Sequence, residues 1–174
     1  MTEDLPSSQE CMEILRKSGC SENVISHCQA VKELAVRMAE LSDADKDLVN
    51  VAALLHDIGR AKTHGIWHAL EGANMVRELG LPESVILIIE RHIGAGITLD
   101  EAKSLGFPEK DYIPATLEEK IVAHSDNLIV ENEKRSVKEV VERFEEKGYH
   151  EAAKKILRLH EELSGICGID LDLI

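Results

Sequence analysis

Residues 54–59 read LLHDIG, which sets His56 and Asp57 at the end of the apolar run Ala52-Ala53-Leu54-Leu55 and just ahead of Gly59. A carboxylate in the last turn of a buried helix is doubly disfavoured, because burial strips its water and the helix dipole already concentrates negative charge there. No Lys or Arg precedes Asp57 in this segment, while Arg60 and Lys62 follow it and offer a salt bridge as the simplest compensation. Asp126 raises the same problem, since Val122, Ile129 and Val130 stand at i−4, i+3 and i+4 and would share its helical face. His27 falls inside the apolar stripe of another helical segment, between the directions of Leu34 and Met38. Alone it reads as a hydrogen-bonded core histidine. Two inward histidines and two inward carboxylates from three helices need something positive between them, and one divalent cation satisfies all four. Imidazole nitrogens mixed with carboxylate oxygens suit Mn, Fe, Co, Ni, Zn or Mg, and do not choose among them.

Helices must position these groups. The pattern predicts a short helix over residues 8–18, stopped near Gly19, and a second from the Ser21 cap to about Leu41 with Val24, Cys28, Val31, Ala35 and Met38 on one stripe. From Asp47 to Asp57 the chain is apolar nearly all round, broken only by Asn50, which predicts a central helix with Gly59 as its C-terminal stop. His68 to Leu79 forms the next, ended by Gly80; Pro82 opens another through SVILIIERH, which GAGI interrupts. Thr98/Glu101, Thr116/Glu119 and Ser136/Glu139 have capping-box spacing and mark three further starts. The second of these opens LEEKIVAHSDNLIV, the third a segment with Val137, Val140, Val141 and Phe144 inward, and a last helix runs from His150 to about Leu163. Residues 106–115 are the one long irregular stretch. The expectation is an all-α, single globular domain of seven to nine helices over residues 1–174, with C-terminal helices at about 136–164.

Composition narrows the partners. With 174 residues, 44% apolar content and 3% aromatics, the chain supports one core built from Leu, Ile, Val and Ala. A net charge of −13 argues against an extended grip on nucleic acid, but permits a small anion where a bound cation reverses the local sign. Cys11, Cys20, Cys28 and Cys167 form no CxxC pair, and the opening MTEDLPSSQE lacks the basic and apolar start of a secretory signal, so reduced thiols in a cytoplasm are expected. No apolar run reaches the roughly 18 residues of a membrane span, so a soluble protein is expected.

In order and spacing, His27, His56-Asp57 and Asp126 resemble the H…HD…D signature of the HD-domain superfamily of metal-dependent phosphohydrolases, in which HDIG is a common local form. The likeness covers about residues 24–130. It implies an all-α HD domain with these four residues as ligands of one divalent metal. Some members hold a second ion through two more histidines; HALEG resembles the element that would supply His68, with Gly72 beside it, and His92, on the face of Ile88 and Ile89, follows in order. Asp57 would then bridge both ions. Two features depart from the pattern. Arg60 replaces the lysine that often follows HDIG, with Lys62 two residues on, and an arginine binds phosphate as a fork without donating its proton. RHIGAGI also lacks the Gly-Tyr-Pro extension of the cyclic-dinucleotide phosphodiesterases of this superfamily.

The resemblance implies phosphoester hydrolysis on a nucleotide or another small phosphorylated substrate by a metal-activated water, with Asp57, Arg60 and Lys62 as the catalytic residues. A di-iron oxygenase and a non-catalytic nucleotide-binding or interaction domain are the other readings. His64 lies in a loop near the site and could touch substrate; His124 reads as structural, and His150 and His160 as surface residues. ENEKRSVKE reads as a solvated turn and helix start. Nothing in the sequence fixes the oligomeric state.

Overall fold

The four residues singled out above belong to three different helical segments, and the architecture is what brings them together. The computed structural model describes residues 4–174, so Met1 to Glu3 of the acidic opening lie outside it. Among the described residues nine α-helices follow one another: α1 Ser8–Lys17, α2 Glu22–Glu40, α3 Lys46–Leu55, α4 His68–Glu78, α5 Glu83–Glu90, α6 Leu99–Leu105, α7 Leu117–Leu128, α8 Val137–Glu146 and α9 His150–Cys167. A 3-10 turn, Ile58–Ala61, joins α3 to the α4 region, and a second, Leu171–Leu173, closes the chain. The all-α expectation holds.

α3 is the axis of the domain. Every residue from Val51 to Gly59 is buried, and α2, α5, α7 and α1 pack around it. The stripe Val24, Cys28, Val31, Ala35 and Met38 of α2 is buried as its spacing requires. α4 lies on α5, α8 on α9, and α9 leans on α7. A smaller core of Leu70, Ile97, Ala102, Phe107 and Tyr112 sits beneath the irregular 106–115 stretch, which a single bridge between Ile97 and Tyr112 ties down. All four cysteines are free and buried, and burial raises the Cys11 and Cys20 thiols to about 11, which leaves them unreactive.

Several boundaries differ from the sequence expectation for identifiable reasons. The helix α7 stops at Leu128, and Ile129–Val130 pair with Glu133–Lys134 as a two-stranded ribbon, β1 and β2. Two β-branched residues and a tight turn with Glu131 and Asn132 both at positive φ favour a hairpin over two more helical residues. Ile129 and Val130 therefore do not extend the face of Asp126. Thr98/Glu101 and Ser136/Glu139 form reciprocal capping boxes, and so do Ser7 and Glu10 of α1. Thr116 accepts from the Glu119 amide, but the Glu119 side chain turns instead to the Ala115 amide and to Arg91. The last helix runs past Gly165 to Cys167 and ends at Gly168, whose φ of 70° makes it the left-handed cap.

Candidate metal centre

The helix α3 ends one residue before the HD pair. His56 is its C-cap, Asp57 follows, and the chain tightens into the 3-10 turn Ile58–Ala61. Gly59 does not stop the helix by a left-handed turn, as its position suggested. It is glycine because α4 crosses here: a Cβ on Gly59 would lie 1.9 Å from the His68 carbonyl oxygen and 2.6 Å from the Gly72 amide nitrogen. The smallness of Gly59 and Gly72 lets the first turn of α4 press onto the HD turn, and that contact carries His68 to Asp57.

The structure brings all six residues picked out in the sequence to one place. On one side His27 Nε2 lies 2.8 Å from Asp126 Oδ1, and His56 Nε2 lies 3.4 Å from the same oxygen. Asp57 Oδ2 is 3.8 Å from His27 Nε2 and 3.7 Å from His56 Nε2. On the other side Asp57 Oδ1 is 3.1 Å from His68 Nε2 and 3.5 Å from His92 Nε2, and those two nitrogens are 3.0 Å apart. The two oxygens of one carboxylate thus face two groups of imidazoles. His92 stands just beyond α5, after its Arg91 cap, and is wholly buried.

Three of the rings are oriented by the same device. His56, His68 and His92 donate their Nδ1 protons to the carbonyls three residues earlier, of Ala53, Gly65 and Ile89, at 2.7, 2.8 and 2.6 Å. Each Nε2 is thereby presented inward. Burial holds His92 neutral, so its Nε2 is a lone pair facing a second nitrogen and a carboxylate oxygen. His56 Nε2 and Asp57 Oδ1 are buried without hydrogen-bond partners. Lone pairs converging within 3.0–3.5 Å of one another repel unless a cation lies among them, and an orphaned nitrogen and oxygen are what such a cation would satisfy. The donor set therefore fits divalent metal at both groups, while mixed His/Asp ligation leaves the element open.

At Asp57, Asp126 and His56 burial opposes ionisation, yet the mutual attraction dominates. It drives the Asp57 carboxyl well below the usual range through His56, His68 and His92, and the Asp126 carboxyl below it through His56 and His27. For His56, burial is outweighed by Asp57 and Asp126, which raise its proton affinity well above that of free imidazole. Arg60 Nε donates to Asp57 Oδ2 at 2.9 Å and Arg60 Nη1 to the His64 carbonyl at 3.1 Å, so the salt bridge expected from sequence exists and covers one of the two carboxylate oxygens. Lys62 turns outward to Glu71 at 3.5 Å, and the His64 ring is on the exposed loop.

A depression of about 250 Å³ opens onto the cluster, lined by Arg60, His68 and Asp126 on one side and by Arg143 and Lys147 of α8 on the other. The larger hollow of about 810 Å³ between α1 and α3 is lined by Asp4, Asp45 and Asp47 and has no comparable chemistry. Arg143 and Lys147 were missed in the sequence, although Val140, Arg143, Phe144 and Lys147 have the i, i+3, i+4, i+7 spacing of one helical face. His124 is structural, as expected. His160 is not a surface residue: it is 5% exposed, accepts from His124 at 3.0 Å and donates through Nε2 to Asp170 at 3.1 Å. His150 is exposed and pairs with Glu145.

A family model described as HD domain matches residues 24–131, a span that contains all six clustered residues. The chain belongs to the HD domain family. A Picrophilus torridus protein named tRNA (cytidine(56)-2′-O)-methyltransferase is 46% identical over 168 residues, which is 97% of this chain and 49% of that protein. Its namesake from Thermoplasma volcanium is 45% identical over 98% of this chain and 50% of its own length, so the chain spans about half of these curated relatives. An uncharacterized protein of Methanocaldococcus jannaschii is 48% identical over 86% of this chain and 93% of its own. Among solved structures, the HD domain of the Listeria monocytogenes phosphodiesterase PgpH bound to cyclic-di-AMP superposes with a TM-score of 0.56 at 18% identity, over 90% of this chain and 96% of the other. That likeness is one of fold.

Proposed function

We propose that this HD domain is a metal-dependent phosphohydrolase acting on a nucleotide or another small phosphoester. The observation that carries the reading is the inward convergence of His56 Nε2 and Asp57 Oδ1, buried and unpartnered, within a cluster of four histidines and two aspartates. His27, His56, Asp57 and Asp126 would hold one divalent ion, and His68 and His92 with the second oxygen of Asp57 another. Bound there, such ions supply Lewis acidity toward a phosphoryl oxygen and lower the pKa of water. The chain's own residues do the rest. Asp57 keeps the two sides in register and offers an acceptor for the proton of an attacking water. Arg60, anchored to Asp57 and to the His64 carbonyl, places its charge at the mouth, where the phosphoryl oxygens enter. As an arginine it neutralises without giving up a proton. Lys62 stands farther out, where it can draw an anion toward the mouth.

The methyl transfer named for the two longer relatives requires a methyl donor, and a sulfonium donor is a cation. A mouth carrying Arg60, Arg143 and Lys147 repels such a group and attracts phosphate. A di-iron oxygenase would use the same six ligands. The test is phosphate release from a panel of nucleotides, phosphomonoesters and phosphodiesters by metal-stripped protein reloaded with Mn, Co, Ni, Fe, Zn or Mg, with Asp57→Ala as control and oxygen uptake followed in parallel. Metal-dependent release that disappears in the control is the expected result. Oxygen uptake by the iron form without phosphate release would replace hydrolysis by oxidation.

A further inference from the structure

The mouth of the site continues into a second hollow. A groove of about 590 Å³ shares Ile93, Gly94 and Phe144 with the depression over the metal cluster and runs on past Ile66, Leu105 and Tyr149. Its walls are mainly apolar, and three of its side chains stand unusually open to solvent for their type: Tyr149 at 59%, Leu105 at 39% and Ile66 at 37% exposed. Gly94, at φ 57°, has nothing within 4 Å of where a Cβ would project, so a ligand can pass close over the backbone at the junction. Asn127, next to Asp126, donates to the Gly94 carbonyl at 2.9 Å and fixes that junction to the metal-bearing helix α7. Over the junction stands the α8 face: Val140 is buried, Phe144 walls both hollows, and Arg143 and its C-terminal neighbour Lys147 face the mouth. Among the described residues neither cation makes an ion pair within 4.0 Å, although Arg143 also borders a surface hollow with Glu139, Glu142 and Glu146 and the chain carries 33 acidic residues against 20 basic ones.

We infer that the substrate is a phosphorylated dinucleotide or short oligonucleotide end, with its reacting phosphate at the metal cluster, its next phosphate on Arg143 and Lys147, and a nucleobase in the groove beside Tyr149. This rests on the phosphohydrolase reading for the reacting end. The surfaces follow in order: the candidate metal ligands and Arg60, then two cations without ion pairs, then an apolar slot with an open aromatic ring. That sequence matches phosphate, linker phosphate and base. A small phosphomonoester would leave the cations and the slot unused. An alkyl or prenyl chain would leave unused the Asp100 carboxylate at the groove's edge, which the amino group of a base can engage. A single strand of two or three residues also agrees with the acidic exterior, which opposes longer nucleic acid.

The test is equilibrium binding to the metal-loaded full chain, which does not depend on turnover. The probes are a phosphonate analogue of a 5′-phosphorylated dinucleotide, its abasic counterpart, prenyl diphosphate and inorganic phosphate. The dinucleotide analogue should bind at least about tenfold tighter than phosphate and tighter than the abasic probe. In Arg143→Ala/Lys147→Ala its advantage over phosphate should fall about tenfold or more, and Arg143→Lys/Lys147→Arg should restore most of it, which separates charge from folding. An analogue bound no more tightly than phosphate, an advantage that survives loss of both cations, or tighter binding of prenyl diphosphate would each overturn the inference. Binding as expected without turnover of any phosphoester would count against hydrolysis and leave the dinucleotide groove standing.

Discussion

At the scale of single residues, the two oxygens of Asp57 keep different company. Oδ2 accepts from Arg60 and Oδ1 has no hydrogen-bond donor, facing the Nε2 atoms of His68 and His92 instead. Replacing Asp57 by Asn keeps the shape and removes the charge. Metal affinity is then expected to fall about 100-fold or more, since even partners one step removed from the ion cost 10–100-fold; metal analysis after dialysis against a weak chelator reads this. His56 gives a second expectation. Because its proton affinity in the metal-free protein is raised above that of free imidazole, a metal ion entering at neutral pH must displace that proton. Affinity should therefore rise with pH through neutrality and level off only above the raised value. Calorimetry in buffers of different ionisation heat should find about one proton released per protein near pH 7; a pH-independent affinity would show that the ion binds elsewhere.

At the scale of elements, the joint between the HD turn and α4 is the most sensitive contact. Gly59→Ala puts a methyl group against backbone that cannot rotate away, the His68 carbonyl at 1.9 Å and the Gly72 amide at 2.6 Å. Overpacking of this kind costs about 1–3 kcal/mol or more and here displaces His68 from Asp57. The variant should melt several degrees lower and bind less metal than the unmodified protein, read by metal analysis. Gly72→Ala is milder, because its closest approaches, Ile89 Cγ2 at 3.1 Å, the Gly59 amide nitrogen at 3.2 Å and Ile58 Cγ2 at 3.3 Å, are tight contacts that a shift of a few tenths of an ångström relieves. Equal loss of stability in both would mean that the close approach of the backbones is not the cause. Ser136→Ala removes the capping box of α8 and is expected to cost about 1 kcal/mol, measured by urea denaturation.

At the scale of the whole molecule, a second polar network holds the C-terminal end against α7, the helix that carries Asp126. Asp170, its carboxyl below the usual range through the Asp172 amide and His160, can only accept. His160 therefore donates to it through Nε2 and accepts at Nδ1 from His124 Nε2. Lys134 of β2 donates to the Leu171 and Ile174 carbonyls and fastens the same end from the other side. Burial, with His160 nearby, lowers the His124 pKa to about 3, so the folded protein keeps His124 neutral where the unfolded chain protonates it. Its contribution is complete above the unfolded value of about 6.5 and is lost as pH falls from there toward 3. Unfolding free energy should thus decline between pH 6.5 and 4.5, by up to about 1.4 kcal/mol per unit at the lower end. Denaturation at several pH values should show a shallower decline in His124→Leu; an unchanged slope would place the lost protonation elsewhere.

The sequence by itself determined the helices and singled out the residues that cluster. Periodicity and caps marked each helix, and apolar positions for His27, His56, Asp57 and Asp126 already demanded a cation, because burial energetics act on a charge whatever surrounds it. Resemblance added His68 and His92. Tertiary structure decided what depends on pairs of distant segments. Gly59 read as a local stop and proved to be a crossing point, since its constraint comes from α4. His160 read as exposed on its helix and is covered by α7 and the C-terminal turn. Arg143 and Lys147 lay on a visible amphipathic face, but only the docking of α8 beside α7 and the Gly94 loop turned that face toward the His/Asp cluster. A one-dimensional pattern records what a side chain needs; which neighbour supplies it is settled when the helices pack.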